Sequence, residues 1–586
     1  MGSGSSINKV SVSPESTGSS RSLSRIASDP CYTDAMKLLH DSVIGDGLVF
    51  QSPHGERRVL YLDYTASGRP VRYIEDFLRN EVYHKYANTH TSTCVTARQT
   101  SVSREGARSF IKKCVNANED DVLLFTGSGV TGAIHKLVSA LNINPKETVV
   151  LIGPYEHHSN ILPWKESGAK VHTISQTKSG QIDMQDLETQ VMNAAGKTVI
   201  GSFSAASNVT GIISDVKRVT RLLKKYGALV FWDYATAAPY VDINMNATQQ
   251  GSIDAVFISP HKFLGGPQSP GILVAKKHLF RNKIPVVPGG GTVAYVYSEG
   301  HEYLSDIEAR EEGGTPPIIE SIRAALAFKL KHSIGLRQLQ SREEYLYNIG
   351  KEFWTQNCLN MTILGCGSVH RLPIFSFIVT HPTVSKLVHH NFISTLLNDL
   401  YGIQTRGGCA CAGPYGESLL GINAQHFIKF FRKTDSSPGF CRLNLPYTMN
   451  EDELDFVLHA VKEITDNGWK LLPLDTLSQV KQLINSVSTF LLEDSDSDYC
   501  SLSDDALPLR ATQFGLSLLK KRTTYCMGRQ LHCTKHLYQE IPLPRIQIAT
   551  LQSRIPQQKV HLIRLMAAHS KRLTALHRRS HSTPEL

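Results

Sequence analysis

Apolar residues cluster along this chain in short runs, separated by longer amphipathic stretches. The runs TVVLIG (Thr148–Gly153), TVIGSFSA (Thr198–Ala205), ALVFWDY (Ala228–Tyr234) and DAVFIS (Asp254–Ser259) are rich in Val, Ile and Phe. They are mostly apolar rather than strictly alternating, as expected of strands covered on both faces. Between them, apolar positions recur at helical spacing. In SDVKRVTRLLKKYG, Ser214 can cap, Val216, Val219, Leu222 and Leu223 share one face, and Gly227 stops the helix. Strands alternating with helices predict βαβ units and an α/β fold with a mostly parallel sheet.

The pattern divides the chain into four parts. Residues 1–35 are Ser/Gly-rich and expected to be disordered, and 36–330 carry the large α/β domain. Residues 331–472 form a smaller α+β domain that closes on the helical pattern NEDELDFVLHAVKEITDNG. Residues 473–586 begin as an acidic linker, LLEDSDSDYCSLSDD, and continue as a basic, His-rich, largely disordered tail. Within that tail, QKVHLIRLMAAHSKRLTALHRR has the pattern of an amphipathic basic helix, suited to an anionic membrane surface or a partner's groove.

Composition changes this picture little, and charge changes it locally. A hydrophobic content of 41% and a charged content of 19% are ordinary for a globular protein. Residues 501–586 hold fourteen Lys/Arg against four Asp/Glu, which accounts for the whole net charge of +10. The first 500 residues are neutral, so the basic balance does not argue for nucleic-acid binding by the folded part. No apolar run is long enough to span a bilayer, and the N-terminus has no apolar signal region. Gly2 and Ser6 fit the loose Met-Gly-x-x-x-Ser pattern of N-myristoylation. The eleven cysteines are odd in number and scattered, which implies free thiols in a reducing, cytoplasmic setting.

Candidate chemistry gathers where the apolar runs end, the edge at which open parallel sheets bind ligands. Gly127, Ser128 and Gly129 of FTGSGVTGAIHKLV open a helix and can turn backbone N–H groups toward an anion. The stretch lacks the lysine of a nucleotide-triphosphate loop, so a single phosphate fits better. Asp233 ends ALVFWDY, His157 and His158 follow TVVLIG, Asn208 follows TVIGSFSA, and Lys262 lies in ISPHKFLGG just past DAVFIS. Each alone also reads as ordinary structure: a glycine-rich helix start, a satisfied histidine, a surface lysine. Together they match what pyridoxal 5'-phosphate requires. Its phosphate needs a helix N-terminus, its ring nitrogen a carboxylate, its ring a flat partner and its aldehyde a lysine amine.

The ordered motifs FTGSGVTGAIH, EHHSNILPW, SNVTG, WDYATAAP, SPHKFLGGPQSPG, EGGTP and RGGCACAGP resemble those of class V aminotransferases. Within that family they are most like cysteine desulfurases and the desulfurase domains of molybdenum cofactor sulfurases. The resemblance covers about residues 60–465. It implies fold type I, with a mostly parallel seven-stranded sheet, and a homodimer with its sites at the subunit interface. It assigns Lys262 to the aldehyde, Asp233 to the ring nitrogen, His157 to the ring face, and Asn208 and Thr236 to the ring oxygen. Val130, Thr131, Ser259 and His261 would hold the phosphate, with Thr315 donated by the other subunit. Arg442 would clamp the substrate carboxylate, assisted by Arg406.

In RGGCACAGP, Arg406 and two glycines precede Cys409 and Cys411 on what reads as a flexible loop. The resemblance implies that L-cysteine is converted to L-alanine while a protein thiol takes up the sulfur as a persulfide and passes it to an acceptor protein. Cys411 aligns with that nucleophile. Cys409 stands where the pattern has His, as a second nucleophile, a resolving thiol or a bystander. Two further departures are Thr236, where Gln is common, and Pro260, where Gly is common. Alternatives are a transaminase, epimerase or β-lyase of the same fold, or a non-catalytic scaffold acting through the basic tail.

Overall fold

The computed structural model describes residues 31–471, apart from 248–250, 366–368, 384–385 and most of 423–437, together with Phe490–Leu491. The N-terminal glycine signal and nearly all of the acidic linker and basic tail lie outside the described residues. Seven strands form the main sheet: β1 (Asp121–Thr126), β2 (Thr148–Ile152), β3 (Lys170–Thr173), β4 (Thr198–Ser204), β5 (Leu229–Asp233), β6 (Ala255–Ile258) and β7 (Gly271–Lys276). Their order is β1-β7-β6-β5-β4-β2-β3. Only β7 runs against the rest, pairing antiparallel with both β1 and β6. The apolar runs are therefore strands, and the fold is the α/β fold of the type I class.

Alternate residues of each strand enter different cores. Leu123, Leu151, Phe203, Trp232 and Val256 pack on one face, and Val122, Val150, Ile200, Phe231 and Phe257 on the other. Both faces are buried, which is why the sequence runs lack a polar alternation. Helix α1 (Val95–Cys114) contributes Arg104 and Arg108, which meet the buried Glu312, and Glu312 Oε1 accepts the Phe125 N–H at 2.6 Å. Helix α2 (Gly129–Leu141) follows β1. Helix α3 (Val216–Lys225) is the one expected in SDVKRVTRLLKKYG, but Asp215 caps it by accepting the Arg218 N–H. Ser214 instead donates to the Ser204 carbonyl at 2.6 Å, because it lies inside the fold beside Tyr155.

Helix α4 (Ile318–Ile334) packs against α1, and Gly335, at φ +90°, turns the chain into α5 (Leu336–Asn357). A second, antiparallel sheet contains β8 (Met361–Ile363), β9 (Ile374–Thr380), β10 (Lys386–Val388), β11 (Arg406–Gly408), β12 (Phe440–Asn444) and β13 (Phe490–Leu491). Its apolar face is covered by α5, α6 (His390–Tyr401) and α8 (Glu451–Asn467), with Trp354 and Phe375 edge to face at 4.8 Å. From the start of the chain, Leu60–Tyr61 pairs in parallel with Ile403–Gln404 and joins this half. Among the described residues no helix is long and apolar enough to cross a membrane. The seven described cysteines are free thiols.

Phe263, the residue after Lys262, packs its ring 4.7 Å from Phe328 of α4, and both are about 1% exposed. Phe328→Ala is expected to cost about 3–5 kcal/mol, read as a lower urea midpoint, and to loosen the lysine turn. An unchanged midpoint would show that α4 does not brace it.

Candidate active site

The strands β1, β2, β4, β5 and β6 end along one edge, and the loops leaving them wall a cleft of about 220 Å³. Of the residues singled out from the sequence, Val130, Thr131, His157, Asn208, Asp233, Thr236, Ser259, His261, Lys262, Arg406 and Arg442 line it. Thr315, Cys409 and Cys411 do not.

One end is built for an anion. Gly129 has φ +54°, and a Cβ there would lie 2.8 Å from Ser259 Oγ, so only glycine fits. The Val130 N–H donates to Ser259 Oγ at 2.9 Å, and Thr131 Oγ1 lies 2.7 Å from Ser159 Oγ. Helix α2 points its positive end at these groups. His261 stands beside them, pushed down to about 4 by burial and then by Lys262, so its ring is neutral.

Lys262 closes a single helical turn, Pro260–Lys262, directly after β6. Pro260 serves as its first residue, where no backbone N–H is needed. Enclosure pushes the Lys262 ammonium down to about 8, with Asp233 opposing the shift. Asp233 is pushed up to about 6 by burial, against the Ala235 N–H at 2.7 Å and the Lys262 charge. His157 is pushed down to about 3 by burial and then by Lys262, and its Nδ1 accepts the Ser159 N–H at 3.1 Å. Its neighbour diverges as expected of adjacent positions: His158 Nε2 accepts the Gly413 N–H at 2.9 Å.

The cleft also presents unspent polar atoms. Asn208 Oδ1 and Thr65 Oγ1 are buried in its wall without a hydrogen-bond partner among the described residues. Buried polar atoms are rarely left so unless something else completes them. With the glycine-floored anion end, a free amine and an opposed carboxylate, the residues fit pyridoxal phosphate.

Sequence reasoning missed the residue that joins the two arginines. Asp63 Oδ1 accepts from Arg442 Nη2 at 2.7 Å, and Oδ2 from Arg406 Nε at 3.0 Å. Arg442 Nη1 reaches the Asn208 carbonyl at 3.0 Å. The available signal was LYLDYTASG, where an acid follows an apolar run. Glu156 was missed too. It lies buried beneath the cleft and takes the Ser204 N–H and Oγ at 2.8 and 2.6 Å.

The thiol segment is not the loose loop expected. Arg406–Gly408 is strand β11, paired with β12 so that Arg406 lies opposite Arg442. Gly407 lets the strand lie against α6, where a Cβ would meet His390 Cδ2 at 2.9 Å, and a Cβ at Gly439 would meet the Gly408 backbone at 2.6 Å. The following turn is pinned from both sides. Asn208 Nδ2 donates to the Ala410 carbonyl at 2.8 Å, and the His158 N–H to the Cys411 carbonyl at 2.9 Å. Ala410 and Cys411 take left-handed φ values of 51° and 55°. Ala410 lines the cleft, Cys411 is exposed, and Cys409 is half-buried against Gly416 of helix α7 (Gly413–Leu420). Thr315 is exposed and accepts from Asn88 Nδ2 at 3.2 Å.

Only a neutral amine attacks an aldehyde. Apoprotein mixed with pyridoxal phosphate should therefore gain visible absorbance at a rate that rises through about pH 8, and a rise only near the ordinary lysine value of 10.5 would place Lys262 in water.

Comparison with known proteins agrees with this geometry. The chain is 29% identical over 376 residues to a "Probable cysteine desulfurase" of Streptomyces coelicolor, covering 62% of this chain and 85% of that protein. It is 30% identical over 365 residues to a protein of the same description from Halalkalibacterium halodurans, covering 61% and 84%. The apo structure of a cysteine desulfurase from Thermococcus onnurineus superposes with a TM-score of 0.60 at 23% identity, covering 70% of this chain and 95% of that one. The family profile of class V aminotransferases matches residues 60–457. With that span matched and its cleft fitted to the cofactor, the chain belongs to the class V aminotransferases, a family of pyridoxal-phosphate-dependent enzymes.

Proposed function

We propose that the protein is a cysteine desulfurase, releasing L-alanine from L-cysteine and keeping the sulfur as a persulfide on Cys411. The observation that carries this reading is the placement of Ala410, the residue between the two thiols, in the wall of the cleft that holds Lys262. The named relatives support the same substrate.

Bound pyridoxal phosphate supplies an electron sink that acidifies the substrate's α-carbon. The rest falls to this chain's residues. Asp233, enclosed and anionic beside a cation, keeps a proton on the ring nitrogen. His157 stays neutral and offers a flat face. Arg442 and Arg406 fix the substrate carboxylate, their remaining N–H groups free to bond it while Asp63 holds their planes. The Lys262 amine takes the α-proton at Nζ. Cys411 Sγ, its proton given up, then attacks the substrate sulfur: an S–S bond forms, the substrate Cβ–S bond breaks, its electron pair takes up the proton that the thiol lost, and Lys262 Nζ returns its proton to the α-carbon to give alanine. The exposed Cys411 thiol reaches the substrate once the turn, left-handed at Ala410 and Cys411, releases the carbonyls held by Asn208 and the His158 N–H.

The chain works as a homodimer. Val95, Val102, Tyr295, Val296 and Tyr297 are exposed apolar side chains open to a second copy, and in that dimer Thr315 would serve the partner's phosphate end, as the resemblance implies. An acceptor protein takes the sulfur in the cytoplasm. A second reading rests on the absence of either thiol from the cleft lining. Under it the enzyme performs a thiol-independent reaction on another amino acid.

Holoenzyme given L-cysteine and a reductant should release alanine and sulfide in equal amounts. Cys411→Ser should abolish both products and Cys409→Ser should leave most of the activity. Alanine formation that survives the loss of both thiols would favour the second reading. Lys262→Ala should lose the visible absorbance and all turnover. Asp63→Asn should raise KM for the amino acid about tenfold or more while the visible spectrum persists, since the arginines lose their brace and the cofactor contacts do not. An unchanged KM would remove the arginines from carboxylate binding.

A further inference from the structure

A second cavity, larger than the cleft at about 370 Å³, lies on the other side of the same strand ends. The pleat divides the two. At the end of β4, Ser204 and Ala206 line the cleft and Ala205 the second cavity, and at the end of β5, Asp233 and Ala235 line the cleft and Tyr234 the second cavity. The cavities share no lining residue.

Glu343 of α5 lines this second cavity and is 3% exposed. Neither Oε1 nor Oε2 has a hydrogen-bond partner among the described residues. Its neighbour Arg342 acts on it through charge alone, donating from Nε to the Tyr447 carbonyl at 3.2 Å and from Nη2 to the Met449 carbonyl. Burial holds the Glu343 carboxyl well above the usual carboxylate range, with the Arg342 charge opposing the shift, and a buried acid with both oxygens unpartnered among the described residues calls for a donor. Tyr234 and Tyr240 supply aromatic walls. At the exposed mouth stand Asp215 and Asp242, with Lys217 and His370. Counting Glu343, acids outnumber fixed cations.

We propose that this cavity binds a small, flat organic cation of the amidinium or guanidinium class, held by Glu343. Two orphaned oxygens of one carboxyl group match two parallel N–H donors on a planar cation, a fit that a single ammonium cannot reproduce. The cation's charge offsets the cost of ionising a buried acid. The aromatic walls suit a flat body, and the mouth acids favour positive charge on the way in.

The probe is benzamidine, which is planar, cationic and free of a primary amine that would attack the cofactor. Benzamide is its uncharged counterpart of similar shape. Titrated calorimetrically into holoenzyme, benzamidine should bind saturably at one site per chain and benzamide should not bind. Glu343→Gln keeps the side chain's volume and the visible spectrum and should weaken benzamidine roughly thirtyfold or more. Asp242→Asn, at the exposed mouth, should weaken it roughly two- to fivefold. Saturating L-alanine should leave binding unchanged, since the cleft is separate. The proposal is overturned if benzamidine does not saturate or if benzamide binds equally well. It is overturned as well if Glu343→Gln binds like the parent. The benzamide comparison needs no variant, so a failure of Glu343→Gln to fold leaves the test intact.

Discussion

One carboxylate facing two guanidinium groups organises this molecule. Asp63 arrives from the beginning of the chain, Arg406 from β11 and Arg442 from the adjacent strand β12. An unpaired charge in such a place would cost several kcal/mol, so the three segments are held in one arrangement. The group is left with an excess positive charge, because one acid meets two bases. That excess reaches across the cleft and helps to depress the proton affinity of both Lys262 and His157. It also leaves the region short of an anion, which is the charge a substrate carboxylate brings.

The thiol turn depends on the same frame. It follows β11 directly, so Arg406 and the two cysteines are positioned by one strand. Asn208 holds the turn from the large sheet's side and Arg442 holds Asn208 by its carbonyl. The segment that presents sulfur chemistry is thus fastened to the groups that would hold the amino acid's other end. Cleft and turn are joined by hydrogen bonds rather than by proximity alone.

Much of this was written in the chain. Strands buried on both faces read as apolar runs, and Asp233 and Lys262 stood out because a charge at the end of such a run needs a reason. Eleven of the fourteen site residues drawn from the sequence line one cleft. What escaped was set by tertiary context. Asp63 looks like any acid after an apolar run, and only the fold brings Arg406 and Arg442 to it. Ser214 and Asp215 both suit a helix cap, and burial beside Tyr155 decides between them. The glycines before Cys409 suggested looseness, yet both lie in a paired strand, Gly407 tight against α6 and Gly408 at φ +115°. Glu343 sits in an ordinary helical pattern, and its isolation arises from α5 packing over segments distant in sequence.

The lone antiparallel strand carries a consequence for how the molecule assembles. Each parallel pair in the main sheet is joined by a crossover, whereas β6 returns to its neighbour β7 through Ser259–Pro270 alone. This is the shortest closure between consecutive strands of the sheet, and closure entropy grows with the length of chain enclosed. The lysine lies within that short return. Its geometry is therefore encoded locally, and chain lengthening in the crossovers leaves it untouched. The carboxylate it faces, at the end of β5, is delivered by a longer excursion. The reactive amine and its counter-charge thus belong to pieces of the sheet with different contact order, and they meet only when the β5–β6 pairing closes.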